Sequence, residues 1–126
     1  PLDNILSIYR TNFLNQSFSS SLNDISDLYL YHIKLMKEYK SKFGSIIYSY
    51  DHEQVVQNPK ETIHDLINWL DWEWSEKYLS PQKNKRSVFT ASSAQVRKKI
   101  NSHSSGFWKK YEDLLEPIIK KFPTYN

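Results

Sequence analysis

Apolar side chains recur at helical intervals along most of this chain, with one abrupt change of pattern near its middle. Leu2, Ile5, Leu6, Tyr9 and Phe13 are spaced for one helical face, which predicts a first helix over about residues 2 to 15. A serine-rich linker, Gln16 to Ser21, leads to a long second helix over about Leu22 to Phe43. There Ile25, Leu28, Tyr29, His32, Leu35, Met36, Tyr39 and Phe43 share a face. Gly44 is the expected stop, because glycine tolerates positive φ. Ser45 to Tyr50 is short, β-branched and aromatic, the composition of a strand. Asn58-Pro59-Lys60-Glu61 reads as an N-cap, a proline at the first helical position and an acceptor at the third. The helix it opens is expected to bury Ile63, Leu66, Ile67 and Leu70. Another short helix is expected within Trp72 to Leu79. Residues 80 to 106 lack a regular period, and a last helical segment covers about Phe107 to Phe122, bent near Pro117.

One strand cannot form a sheet, so this pattern predicts pairing partners outside the chain. The chain starts with proline rather than methionine, which also fits a fragment or an excised domain. At 126 residues it makes one domain, able to bury roughly two-thirds of its unfolded surface. A hydrophobic content of 39% is low for a self-sufficient globule, but 15% aromatic residues can supply large buried areas. The net charge of +3 suits an anionic ligand. It lacks the longer Lys/Arg clusters expected of a nucleic-acid binder. No apolar run approaches the roughly eighteen residues of a membrane span, and no signal-peptide pattern is present. The absence of cysteine excludes disulfides. His32, His64 and His103 have no second ligand at metal spacing, so none suggests zinc. No Ser-His-Asp arrangement is specified by spacing. Trp69, Trp72 and Trp74 fit core or shell positions better than a binding platform.

Ser87-Val88-Phe89-Thr90-Ala91-Ser92-Ser93-Ala94-Gln95-Val96-Arg97 has neither helix nor strand period. It gathers hydroxyls, an amide and the cationic run Arg97, Lys98 and Lys99, and Gly106-Phe107-Trp108-Lys109-Lys110 follows shortly. Such donors and cations are suited to holding an anion such as phosphate. The order of these residues resembles the C-terminal half of the sulfotransferase superfamily, specifically bacterial relatives of protein-tyrosine sulfotransferases. In that family a Thr-x-Ser…Gln-Val loop lies over the nucleotide of 3′-phosphoadenosine-5′-phosphosulfate (PAPS), and here it reads Thr90 to Arg97. Three more landmarks fall in the family's order. Pro1 to Tyr9 is similar to the helix carrying the 3′-phosphate-binding serine. Ile46 to Tyr50, then Glu53-Gln54-Val55-Val56-Gln57-Asn58-Pro59, resembles the family's strand and Tyr-Glu-Asp-Leu-Val…Asp-Pro segment. Ser105 to Tyr111 resembles the terminal Gly-x-Trp-Lys motif. The resemblance spans nearly the whole chain.

The resemblance implies an α/β fold, with residues 1–126 as the C-terminal, mostly helical part of a P-loop-type parallel-sheet sulfotransferase domain. The N-terminal phosphate-binding part of that domain, with its catalytic base, would precede Pro1. The implied activity is transfer of a sulfuryl group from PAPS to a hydroxyl acceptor, of which a protein tyrosine is one candidate, and the isolated segment would be inactive. PAPS is then a co-substrate and no metal is needed. The implied partners are the nucleotide, the acceptor and the N-terminal part of the same protein, without nucleic acid or a membrane segment, in a bacterial cytoplasm.

Residue by residue, the resemblance places Ser92 at the transferring group, where a hydroxyl can meet charge shifting in the transition state. Ser7 would contact the 3′-phosphate. Thr90, Gln95 and Val96 would shape the adenosine pocket. Arg97 and Lys98 either pair with phosphate or form a solvated face. Lys109 matches a basic residue of the terminal motif. Tyr50 or His52 would lie near the adenosine; His52 stands where the family has tyrosine. Two further departures matter. The family's arginine, eight residues before the serine, falls just ahead of Pro1, and Arg10 is a poor substitute for it. The position before the terminal tryptophan, often basic in the relatives, is Phe107. The alternative reading is a non-catalytic helical interaction module with aromatic faces for a partner protein. A third is a nucleic-acid binder using Arg97 to Lys99 with Lys109 and Lys110. Both leave the order of Thr90 to Arg97 unexplained.

Overall fold

The computed structural model of the chain describes residues 1–11, 13, 16–89 and 97–123. In chain order its α-helices are α1 (Leu2–Arg10), α2 (Leu22–Phe43), α3 (His52–Gln57), α4 (Pro59–Trp69) and α5 (Glu112–Ile119). Short 3₁₀ turns at Ser17–Ser20, Gly44–Ile46, Glu76–Leu79, Pro81–Lys83 and Phe107–Tyr111 join or extend them. The chain divides into two compact units, one made of Pro1–Gly44 with Ser104–Asn126, the other of Ser45–His103.

The core of the first unit comes from three helices. Leu2, Ile5 and Leu6 of α1, Ile25 of α2, Leu115 and Ile118 of α5, and Phe122 just beyond it are all buried together. The three- and four-residue spacing within α1 and from Leu115 through Ile118 to Phe122 sets these side chains on one face. Partly buried Leu22 and Tyr29 flank Ile25 on α2 at the same spacing, and removing them all from water drives the assembly. Ser26 is buried within this apolar face because its Oγ donates to the Leu22 carbonyl one turn back, 2.6 Å away, so no polar group is orphaned. The Tyr29 ring meets Phe122 edge-on at 5.9 Å, and Lys121 pairs with Asp27 at 2.7 Å. α2 starts where Ser21 Oγ accepts the Asp24 N–H at 3.2 Å. Only its beginning is covered: Tyr31 is 63% exposed and Phe43 50%.

The second unit packs α3 against α4. Thr62 Oγ1 sits between the carbonyls of Gln54 and Asn58, 3.2 and 2.9 Å away, and so ties the two helices at their junction. Ile67 is the one fully buried apolar side chain among this unit's described residues, which makes its core thin. α4 ends with the Trp72 N–H on the Ile67 carbonyl and the Asp71 N–H on the Asn68 carbonyl, both at 3.0 Å. This is a Schellman stop, with Asp71 left-handed at φ 54° where glycine is usual.

The α/β expectation is corrected by this architecture. No strand and no sheet occur among the described residues. The run expected as a strand, Ser45 to Tyr50, begins inside the Gly44–Ile46 turn and continues without regular pairing. Strand composition marks a surface that suits a ladder, but the ladder's hydrogen bonds need a neighbour, and this chain has no second strand-like run to supply one. Gly44 is no left-handed stop either. At φ −54° and ψ −32° it carries α2 directly into the tighter turn.

Other boundaries moved for local reasons. α1 stops at Arg10, short of the expected residue 15, because Thr11 turns extended and its Oγ1 donates to the Ser7 carbonyl at 2.7 Å. The last helical segment divides into the 3₁₀ turn Phe107–Tyr111 and α5, with Pro117 inside the latter. α3 was not expected at all: the Val55-Val56 pair hid a six-residue helix that Asp51 opens by accepting the Glu53 N–H at 2.9 Å.

Candidate functional site

In the first unit the chemistry gathers on one stripe of α1. Asp3, Ser7 and Arg10 are four and three residues apart, so they line one edge of the helix alongside its buried face. Asp3 lies in the first turn, where a carboxylate also favours the positive end of the helix dipole. Its two oxygens are both engaged by a segment more than a hundred residues away. Oδ2 accepts the Gly106 N–H and Oδ1 the Trp108 N–H, each at 2.7 Å. Bonds this short to an ionised acceptor are of the stronger, charge-assisted kind. Gly106 makes the arrangement possible, since the chain turns there at φ +72°.

The same docking places Phe107 and Tyr111 beside the far end of the stripe. The Arg10 guanidinium carbon lies 5.2 Å from the Phe107 ring centre and 5.4 Å from that of Tyr111. The two rings are 5.4 Å apart and tilted by 51°. Lys110 Nζ approaches Phe107 as well, at 5.4 Å. Ser7, between Asp3 and Arg10 in sequence, is exposed, and its hydroxyl has no hydrogen-bond partner among the described residues. Lys109 is exposed on the same turn as its neighbour Lys110.

The remaining candidates fall in the second unit or outside the described residues. Tyr50, 59% exposed, lines a shallow open groove of about 130 Å³ with Val55, Thr62, Ile63 and Leu66. Sites that enclose a drug-sized ligand run to roughly 300–1,000 Å³, so this groove can take part of a ring system at most. His52 is the exposed first residue of α3. Arg97 spends its planar fork on main-chain oxygens: it donates to the carbonyls of Asn84 and, at 2.6 Å, Arg86. Lys98 is exposed. Thr90, Ser92, Gln95 and Val96 lie outside the described residues.

Two landmarks of the sequence are thus brought together within one unit: the helix bearing Ser7 and the segment bearing Lys109. Tyr50, Arg97 and Lys98 belong to the other unit. Asp3 and the aromatic seat of Arg10 were missed by sequence reasoning. The signal for Asp3 was its place one turn before Ser7, on the same edge of the helix.

Of the tryptophans expected in core or shell, Trp69 is 42% exposed. Trp72 is 58% exposed. Trp74 is half-buried against His64 and Tyr78, at ring distances of 5.1 and 6.1 Å. Glu76 joins that cluster to α4. It pairs with Lys60 at 3.2 Å and accepts the Trp74 indole N–H at 3.4 Å, and first Lys60, then Trp74, hold its carboxyl below the ordinary glutamate range. No group of three or more His, Cys, Asp or Glu able to hold a metal ion occurs among the described residues. No described helix is long and apolar enough to cross a membrane.

No protein-family model and no solved structure matches the chain. It is 32% identical over 123 residues, 94% of its length, to an uncharacterized protein of the bacterium Aquifex aeolicus (strain VF5). The chain spans only 16% of that relative's length.

Proposed function

We propose that this chain is the nucleotide-closing part of a longer, PAPS-dependent sulfotransferase of a bacterial cytoplasm, which transfers a sulfuryl group to a hydroxyl acceptor. The observation that carries this reading is the Asp3 bridge. It joins the Ser7 helix to the Gly106–Lys109 segment, two stretches at opposite ends of the chain that the resemblance assigns to one nucleotide. The length of the Aquifex relative supports a larger protein around such a segment.

In this reading Ser7 and Lys109 hold the 3′-phosphate side. Thr90, Gln95 and Val96 shape the adenosine pocket, with Tyr50 beside it and Lys98 as a cation near the phosphates. Arg97, whose guanidinium binds main-chain carbonyls, supports its neighbours more than it meets the ligand. Ser92 meets the transferring group. The chemistry asks little covalent work of the protein: positioning and hydrogen bonds to charge-bearing oxygens do most of it.

The test is calorimetry with adenosine 3′,5′-bisphosphate on the full-length protein. Binding that weakens in both Ser7→Ala and Ser92→Ala is the expected result. If neither substitution changes the affinity, or the protein does not bind the nucleotide, the reading is wrong. The exposed aromatics of α2, Tyr31, Tyr39 and Phe43, favour the second reading, a helical interaction module. That reading gains if the full-length protein ignores the nucleotide and Tyr31→Ala or Phe43→Ala alters its assembly instead.

A further inference from the structure

The position next to the terminal tryptophan carries no charge in this chain, yet the fold brings two cations to it. Arg10 lies over Phe107 and Tyr111, and Lys110 approaches Phe107 from within its own turn. Among the described residues neither cation has a carboxylate partner. Both are exposed. Two like charges gathered at one ring, neither of them ion-paired, favour an anion beside them.

We infer that Arg10 is an anion-binding residue, seated on the Phe107–Tyr111 pair and completing a phosphate subsite with Ser7. A guanidinium over an aromatic face still offers in-plane N–H donors at its edge. Ser7 is three residues before it, which puts their Cβ atoms about 5–6 Å apart on the helix. A phosphate group is large enough to reach both. Asp3 is the positioning residue. Its carboxylate fixes the main chain on both sides of Phe107, through the Gly106 and Trp108 N–H groups, and so fixes the ring on which Arg10 rests. Arg10, expected from its place in α1 to be a poor substitute for the arginine ahead of Pro1, supplies a cation here because the Phe107 and Tyr111 rings seat it.

This inference rests on the nucleotide reading above and names a contact within it. The experiment compares adenosine 3′,5′-bisphosphate with adenosine 5′-monophosphate on the full-length protein, using Arg10→Gln, Arg10→Lys and Asp3→Asn. Loss of a charged hydrogen bond predicts bisphosphate binding weakened about tenfold or more in Arg10→Gln. Monophosphate binding should stay unchanged, because the lost contact is to the 3′-phosphate alone. Arg10→Lys should recover part of the difference, and Asp3→Asn should narrow the preference for the bisphosphate in the same direction. A merely structural role would weaken both nucleotides together. An unchanged ratio in Arg10→Gln, with the wild type still preferring the bisphosphate, overturns this inference and leaves the proposed function standing. A wild type that binds neither nucleotide overturns both.

Discussion

Glu76 shows what a single exposed carboxylate can report. Its pKa is depressed by Lys60 first and by the Trp74 indole second. A carboxyl with a lowered folded-state pKa contributes above its unfolded pKa, and the contribution disappears as pH falls through the folded value. Solvent screening keeps that contribution small, but the titration itself is observable. The Trp74 indole N–H resonance should shift with a midpoint below the ordinary glutamate range, and Lys60→Ala should move that midpoint upward. The same midpoint in the Lys60→Ala protein would remove Lys60 as the cause. Individual roles of this kind were only partly legible in the sequence. The exposed hydroxyl of Ser7 followed from its place off the apolar face of α1. The partners of Asp3 did not, because nothing local marks a contact with residues 106 and 108.

Two helix boundaries make opposite demands on the backbone. Asp71 adopts φ 54° to close α4 without being glycine. A side chain in that region carries a steric cost that aspartate reduces but does not abolish. Asp71→Gly should therefore stabilise the protein by about 0.5–1 kcal/mol, read as a higher midpoint in chemical denaturation. Gly106 is the reverse case. At φ +72° a Cβ would meet nothing within 4 Å, so Gly106→Ala should cost about 1–2 kcal/mol through the dihedral alone. A neutral Gly106→Ala would mean that the turn relaxes and the Asp3 bridge breaks or moves. These positions also explain what the hydrophobic pattern could reveal. It placed α2 from Leu22 to Phe43 to the residue, because twenty-odd residues of one period leave no rival. It failed at Ser45 to Tyr50, where six residues of strand composition have no ladder to join.

At the scale of the molecule, stability is divided unevenly. Seven buried apolar side chains hold the first unit, whereas Ile67 alone is fully buried in the described part of the second. Leu115→Ala, in the middle of the larger core, should cost about 2–5 kcal/mol. Hydrogen exchange should then quicken together in α1, the start of α2 and α5, while α4 changes little. Equal acceleration in α4 would show that the two units unfold as one. Neither this division nor the closing of a single core by the two chain ends was visible in periodicity, which carries no information about which helices meet.

The Asp3 bridge has a consequence for how the chain comes off the ribosome. Its acceptor at position 3 is made well before its donors at positions 106 and 108, so the whole of Ser45–His103 is synthesised in between. Contacts that close such long loops are entropically expensive to reach and slow to form. During elongation α1 and the start of α2 must therefore wait with Leu2, Ile5, Leu6 and Ile25 uncovered, until Leu115, Ile118 and Phe122 emerge to complete their core. The local contacts of α3 and α4 need no such delay. The segment inserted in the middle is free to fold before the unit that encloses it in sequence, and a nascent chain stalled near His103 would expose the apolar faces on which chaperones act.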